Sequence, residues 1–303
     1  VVVEKPVEGL SARQIAQWMV GRDVAGRKAV QVRDVDISES NKDVILDVEH
    51  LWVDMPGETV KDVSFSVKRG EIFGIGGLAG QGKLGISNGI LGLFPAGGKV
   101  LLNGKELPLN STFNALKGGI AFVSEDRRGV GLLLDESIDW NIAFNAMQVQ
   151  NRFIKKKLGG VIKWRDDKAM KECADKYVNA LQIKCTSTKQ HARQLSGGNQ
   201  QKVCLAKAFA MEPSLLLVSE PTRGIDVGAK ALVLDSLRRH NNENDTTIIM
   251  VSSELEELRS ICDRIAIVSE GKIAGILSPD ADTAEFGLLM SGLSNLNEEG
   301  EEQ

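Results

Sequence analysis

Residues Glu71 to Ile75 read as a short strand that runs directly into Gly76-Gly77-Leu78-Ala79-Gly80-Gln81-Gly82-Lys83, and the residues beyond have helical spacing. Strand, glycine loop and helix in that order turn successive backbone N–H groups inward as an anion-binding nest. Gly77, Gly80 and Gly82 shape such a loop, and Lys83 reaches the terminal phosphates. The hydroxyl that ordinarily follows the lysine and holds Mg²⁺ is absent, because position 84 is Leu. Taken alone, the same run also describes a tight strand-to-helix turn, so the loop must be judged by its company.

Around this unit the pattern alternates. Val44 to Val53 and Val63 to Val67 read as strands, bounded by the Met55-Pro56-Gly57 turn and by Lys68-Arg69-Gly70. Further strands are expected at Gly119 to Val123, Leu215 to Ser219, Thr246 to Val251 and Arg264 to Val268, with helices between several of them. Asn141 to Met147 and Asp166 to Leu181 are candidate helices. The pattern predicts an α/β fold: a mostly parallel sheet covered by helices, preceded by an antiparallel portion.

Charge and hydropathy narrow the function classes. Lys plus Arg total 37 against 41 for Asp plus Glu, a net charge of −4, so nothing global attracts nucleic acid. No uninterrupted apolar run approaches the roughly 20 residues that cross a bilayer. Cys173, Cys185, Cys204 and Cys262 form no C-x-x-C pair and read as reduced packing residues, and no metal site is expected. His50, His191 and His240 have no partners that suggest metal or nucleophilic work.

The ends read differently. The chain starts at Val1 without a leader pattern, as though it began mid-protein. Ser11 to Arg22 reads as a short amphipathic helix closing on Met19, Val20 and Gly21; Ala284 to Gly292 closes similarly on Met290, Ser291 and Gly292. That likeness predicts that residues 1–22 are the tail of a preceding domain of the same kind, with 23–43 as a linker. Residues 294–303 are acidic and polar and read as a solvated tail.

The company of the glycine loop is specific. Leu195 to Lys202 reads Leu-Ser-Gly-Gly-Asn-Gln-Gln-Lys, a helix N-cap followed by two permissive glycines. Farther on, the apolar run Leu215 to Val218 ends in Ser219-Glu220-Pro221-Thr222, and Gly224-Ile225-Asp226 follows. In order and spacing these landmarks resemble those of ATP-binding cassette (ABC) ATPase domains, a P-loop NTPase fold that would span residues 44–293, with a mainly helical subdomain at about 125–193. The Gly-Asn-Gln-Gln-Lys variant, Val-Ser-Glu-Asp-Arg-Arg at Val123 to Arg128, and Pro221 to Lys230 look like the second of two fused cassettes in the ATPase subunit of ribose-, galactose- and related carbohydrate importers. Nucleoside importers share that architecture.

The resemblance implies site residues and also departures from them. Leu84, Glu125, Ser219 and Ser253 stand where the family has a Mg²⁺-binding hydroxyl, a lid glutamine, an aspartate and a switch histidine. Glu220 occupies the general-base position, as either a catalytic or a vestigial residue. ATP would therefore bind at Lys83, Mg²⁺ would be held weakly or not at all, and hydrolysis at this loop would be slow or absent. Trp52, or equally Met55, stands near the adenine position, although a strand tryptophan commonly packs in the core. The signature Leu195, Ser196, Gly197, Gly198, Asn199 and Gln200, with Asp226 crossing the interface, would complete the ATP site of an N-terminal cassette in the same subunit.

Implied partners are that cassette, transmembrane permease subunits, and indirectly an extracytoplasmic substrate-binding protein, which places the chain peripherally at the cytoplasmic membrane face. Glu125 to Arg128 would transmit closure to the permease. Lys155-Lys156-Lys157 reads as an exposed loop more readily than as a lipid or partner contact. Two rival readings are a non-catalytic nucleotide-responsive scaffold and a soluble ABC protein acting on nucleic acid or ribosomes; the acidic balance and the importer-like signature disfavour the latter.

Overall fold

In the computed structural model, which describes residues 44–157 and 162–292, alternate residues of the central strands feed two separate cores. Leu216, Val218, Ile248 and Met250 belong to one; Leu215, Leu217, Ile249 and Val251 belong to the other. Period-two alternation with both faces apolar is the signature of strands covered on both sides.

Twelve strands are named in chain order. β1 (Val44–Val53), β2 (Val60–Lys68), β4 (Ala96–Leu102) and β5 (Lys105–Glu106) form an antiparallel wing. β3 (Ile72–Gly76), β6 (Ile120–Val123), β9 (Leu215–Ser219), β10 (Thr247–Val251) and β11 (Arg264–Ser269) form the parallel core. β12 (Lys272–Leu277) turns back antiparallel on β11 and meets β2, giving one sheet ordered β5-β4-β1-β2-β12-β11-β3-β10-β9-β6. β7 (Ile154–Lys157) and β8 (Ile162–Arg165) make a separate hairpin.

Helix α1 (Lys83–Leu91) follows β3; α2 (Thr112–Lys117) precedes β6. α3 (Ile138–Gln150) and α4 (Asp167–Ala180) build the expected helical subdomain together with the β7–β8 hairpin, which periodicity did not reveal. α4 buries Met170, Ala174 and Tyr177 on one stripe, and Asp166 caps it by accepting the Ala169 N–H. The subdomain is tied to α5 (Gly197–Phe209) and the loop after it. The Tyr177 hydroxyl donates to the Phe209 carbonyl, Gln150 to Met211 and Arg152 to Ala210. α6 (Val227–Asn244), α7 (Leu255–Ile261) and α8 (Thr283–Met290) complete the chain.

The strands expected from sequence are present with ends shifted by a residue or a few, β2 the most. Two readings are corrected. The Lys155 to Lys157 run is a paired strand, with Lys155 joined to Asp166 at 3.0 Å. Trp52 is 47% exposed, because its place in the alternation of β1 faces outward and Gly97 opposite leaves room for the indole to lie flat on the backbone. The Ser11 to Arg22 helix, the preceding-domain tail 1–22, the linker 23–43 and the acidic tail 294–303 lie outside the described residues.

Candidate functional site

Parallel strands deliver their C-terminal ends to one edge, where open α/β sheets place their ligands. Val251 of β10 lies in register with Ile75 of β3 on one side and Ser219 of β9 on the other, and Val123 of β6 with Val218. The glycine loop, Ser253, Glu220 and Glu125 therefore leave adjacent strands at the same edge.

The glycine loop closes as expected, with Gly82 at φ 98° starting α1 and Lys83 buried to 1%. What fills it was not expected. The Glu58 carboxylate accepts the Gly80 N–H at 2.9 Å, the Gly82 N–H at 3.0 Å and the Leu84 N–H at 3.2 Å. Lys83 Nζ stands 4.0 Å from the same carboxylate and donates to the Leu78 carbonyl at 3.1 Å. The Glu58 residue is 8% exposed.

Local sequence explains how Glu58 gets there. Met55-Pro56-Gly57-Glu58 has proline at its second position and Gly57 at φ 78°, the requirements of a type II turn, which the Glu58 N–H closes on the Met55 carbonyl at 3.0 Å. The end of β1 and the connection that carries this turn rest on α1 at two glycines four residues apart. A Cβ on Gly85 would lie 2.2 Å from the Glu58 carbonyl oxygen, and one on Gly89 would lie 2.3 Å from a Val53 methyl. The β11–β12 turn closes the other side: Gly271 donates to the Gln81 carbonyl and accepts from Lys61, and Gln81 Oε1 accepts from Glu270.

At the end of β9 the hydroxyl of Ser219 is sealed and has no partner. Glu220 sits at φ 48°, donates its N–H to the Val251 carbonyl, and its carboxylate accepts both the N–H and the hydroxyl of Ser253. Glu125 is half-buried beside Ser124. A buried residue that pattern reading missed, Glu257, organises the region. It accepts the hydroxyls of Thr222 (2.5 Å) and Ser252 (3.1 Å) and pairs with Lys230 at 3.2 Å. Only its place on the inward face of α7 hinted at this.

The Leu195 to Gln200 run lies at the head of α5. Ser196 is exposed there and its hydroxyl caps nothing; it accepts from Asn199 Nδ2 at 3.0 Å, while Asn199 Oδ1 accepts the Lys184 N–H. Gly197 and Gly198 carry the first N–H groups of the helix. Leu195 is buried, and Gln200 is turned inward to donate to the Ala192 carbonyl at 3.1 Å, so it holds the helix start and does not face a ligand. Asp226 caps α6 through the Ala229 N–H and stands close to Gly198. In the Glu125 to Arg128 stretch, Asp126 caps the following turn through Gly129, and Arg127 donates to Gln201.

The groups present can be tested against the ligands that the resemblance implies. Leu84 packs on the core of the antiparallel wing and offers no oxygen, and Ser219 is sealed and neutral, so the usual protein anchors for Mg²⁺ are missing. The phosphate nest is occupied by Glu58. In this arrangement the loop does not fit a triphosphate, whereas the head of α5 remains open to an anion.

Comparison with known proteins gives a consistent picture. The sequence profile described as "ABC transporter" matches residues 60–223. The chain is 36% identical over 288 residues to the ribose import ATP-binding protein RbsA 2 of Rhizobium etli, covering 94% of this chain and 54% of that protein. It is 36% identical over 274 residues to the galactose/methyl galactoside import ATP-binding protein MglA of Mannheimia succiniciproducens, covering 90% and 51%. The chain thus spans about half the length of these relatives. Its fold matches a bacterial ABC transporter cassette solved as a dimer, with TM-score 0.63, 20% identity, and coverage of 78% of this chain and all of that one.

Proposed function

The chain belongs to the ABC transporter family, and from that premise we propose that it is the second, energy-coupling cassette of a double-cassette importer for a sugar or related small molecule. The relatives named for ribose and galactose import support the cargo class, and their roughly double length leaves room for a further cassette; the position rests on the sequence landmarks themselves. Its partners would be an N-terminal cassette in the same subunit and membrane permease subunits fed by a substrate-binding protein. No helix among the described residues is long and apolar enough to cross a membrane, so attachment at the cytoplasmic face would run through those partners.

The observation that carries this reading is an asymmetry. The head of α5 is open, with Ser196 exposed and held by Asn199, while the chain's own glycine loop is filled by the Glu58 carboxylate. The open end lends the Ser196 hydroxyl and helix N–H groups to the γ-phosphate of an ATP bound by the other cassette; Asp226 lies at that interface. Closure of the two cassettes around ATP would then shift the permease between its states, in proportion to the preference of ATP for the closed form.

The test is Ser196→Arg in the full-length subunit assembled with its permease. Loss of a phosphate-stabilising donor and insertion of a bulky cation should lower ATP turnover by about 10²-fold or more and abolish transport. Unchanged turnover and transport would instead identify a non-catalytic scaffold.

A further inference from the structure

We propose that Glu58 is a tethered anion that occupies the phosphate subsite of this chain's own glycine loop and excludes nucleotide from it. The inference rests on reading residues 77–84 as the nucleotide loop of an ABC cassette. It goes beyond the loss of catalytic groups, because it assigns a specific side chain that competes with the ligand.

Three independent features support it. First, the nest is chemically satisfied: N–H groups of Gly80, Gly82 and Leu84, which in such a loop point at phosphate oxygens, all donate to one carboxylate. Second, the carboxylate is desolvated and charge-matched, its side chain 10% exposed beside a Lys83 side chain 2% exposed. A charge placed there without a partner would be costly, so the pair is a built contact and not a passing surface one. Third, the seat is prepared. Gly85 and Gly89 leave α1 bare where the end of β1 and the connection to β2 settle, and any side chain at 85 would strike the Glu58 backbone. Leu84 and Gly85 follow Lys83 where a nucleotide loop would supply a hydroxyl.

A triphosphate and the Glu58 carboxylate cannot share these donors. Both are anions, and the tether holds the carboxylate at high effective concentration. Nucleotide affinity is therefore reduced by the fraction of molecules in which Glu58 has left the loop.

The experiment is equilibrium titration of the 303-residue chain with ATP and with inorganic pyrophosphate, in wild type, Glu58→Ala, Glu58→Gln and the double variant Glu58→Ala/Lys83→Ala. The expected result is at least tenfold tighter binding of both probes to Glu58→Ala than to wild type, a smaller gain for Glu58→Gln, and loss of the gain in the double variant. Equal affinity of wild type and Glu58→Ala overturns the proposal, as does a gain that survives Lys83→Ala. Should Glu58→Ala not fold, amide hydrogen exchange of the ligand-free wild type decides. Protected N–H groups at Gly80, Gly82 and Leu84 support the occupied nest, and exchange at the rate of open loop amides overturns it. The Ser196→Arg test reads a different face, so either idea can fail while the other stands.

Discussion

The Glu220 carboxylate accepts two hydrogen bonds from one residue, the backbone N–H of Ser253 at 2.9 Å and its hydroxyl at 2.6 Å. A general base must offer a free oxygen to the attacking water, within about 2.6–3.2 Å of the proton it takes. Both bonds fall on one oxygen, Oε1, and in the function proposed above ATP is turned over at the other cassette's glycine loop, away from Glu220.

It follows that Glu220→Gln should change ATP turnover of the full-length subunit by less than about threefold, against the roughly 10²–10⁴-fold that a working general base contributes. Steady-state phosphate release would measure this. A hundredfold loss would return Glu220 to a catalytic role.

Glu257 should matter more for stability than its distance from any expected motif suggests. It is 6% exposed and gathers the Thr222 and Ser252 hydroxyls and Lys230 beneath the Glu220–Ser253 contact. Glu257→Ala leaves two hydroxyls without their acceptor and removes one of two carboxylates from Lys230, which keeps Glu254. A loss of about 2–4 kcal/mol in urea unfolding is expected.

His240 gives the fold a definite acid sensitivity. Its ring stacks on Phe209 at 3.8 Å, contacts Asn244 and Thr246, and is pushed down to about 4 by burial, with nearby Lys176 adding in the same direction. The unfolded chain therefore binds a proton near the ordinary 6.5 that the folded chain refuses. Stability is fully present above that pH and is lost as pH falls toward 4. Between about pH 6.5 and 5 the contribution should drop by roughly 2 kcal/mol. His240→Phe, which keeps the stack and removes the titration, should flatten the pH dependence of the urea midpoint by that amount.

Local chemistry made much of this architecture legible. Leu215 to Val218 reads as a doubly buried strand because both of its faces are apolar, and Ser196-Gly197-Gly198 reads as a helix start because serine followed by two permissive glycines suits an N-terminus, which is where α5 begins. Legibility failed where a residue's role is set by a partner distant in sequence. Glu58 looks like any acidic residue after a Pro-Gly turn until Gly82 and Lys83 are folded against it, and Gln200 looks like part of a ligand motif until Ala192 is found behind it. The β7 and β8 segments were hidden by their lysines, whose charge marks an edge strand as readily as a loop. Trp52 misled in the opposite sense, since its size suggested the core while its position in the alternation of β1 faced water.

The two seat glycines of α1 should respond unequally to the same added methyl. Glycine to alanine within a helix ordinarily stabilises by up to about 1 kcal/mol. At Gly89 the obstacle is the buried Val53 side chain, both of its methyls and its Cβ, which trimming to alanine relieves in large part. At Gly85 the obstacle is the Glu58 carbonyl oxygen, fixed by the turn that Met55 closes, so relief requires moving the backbone and lifting the carboxylate from the loop. Gly85→Ala should therefore destabilise by about 1–3 kcal/mol net, and Gly89→Ala by less, with Val53→Ala rescuing only the latter. Urea denaturation of the two single variants and the Gly89→Ala/Val53→Ala pair measures the ordering. Equal costs, or a stabilised Gly85→Ala, would mean that the turn does not rest on α1 as closely as the backbone contact requires.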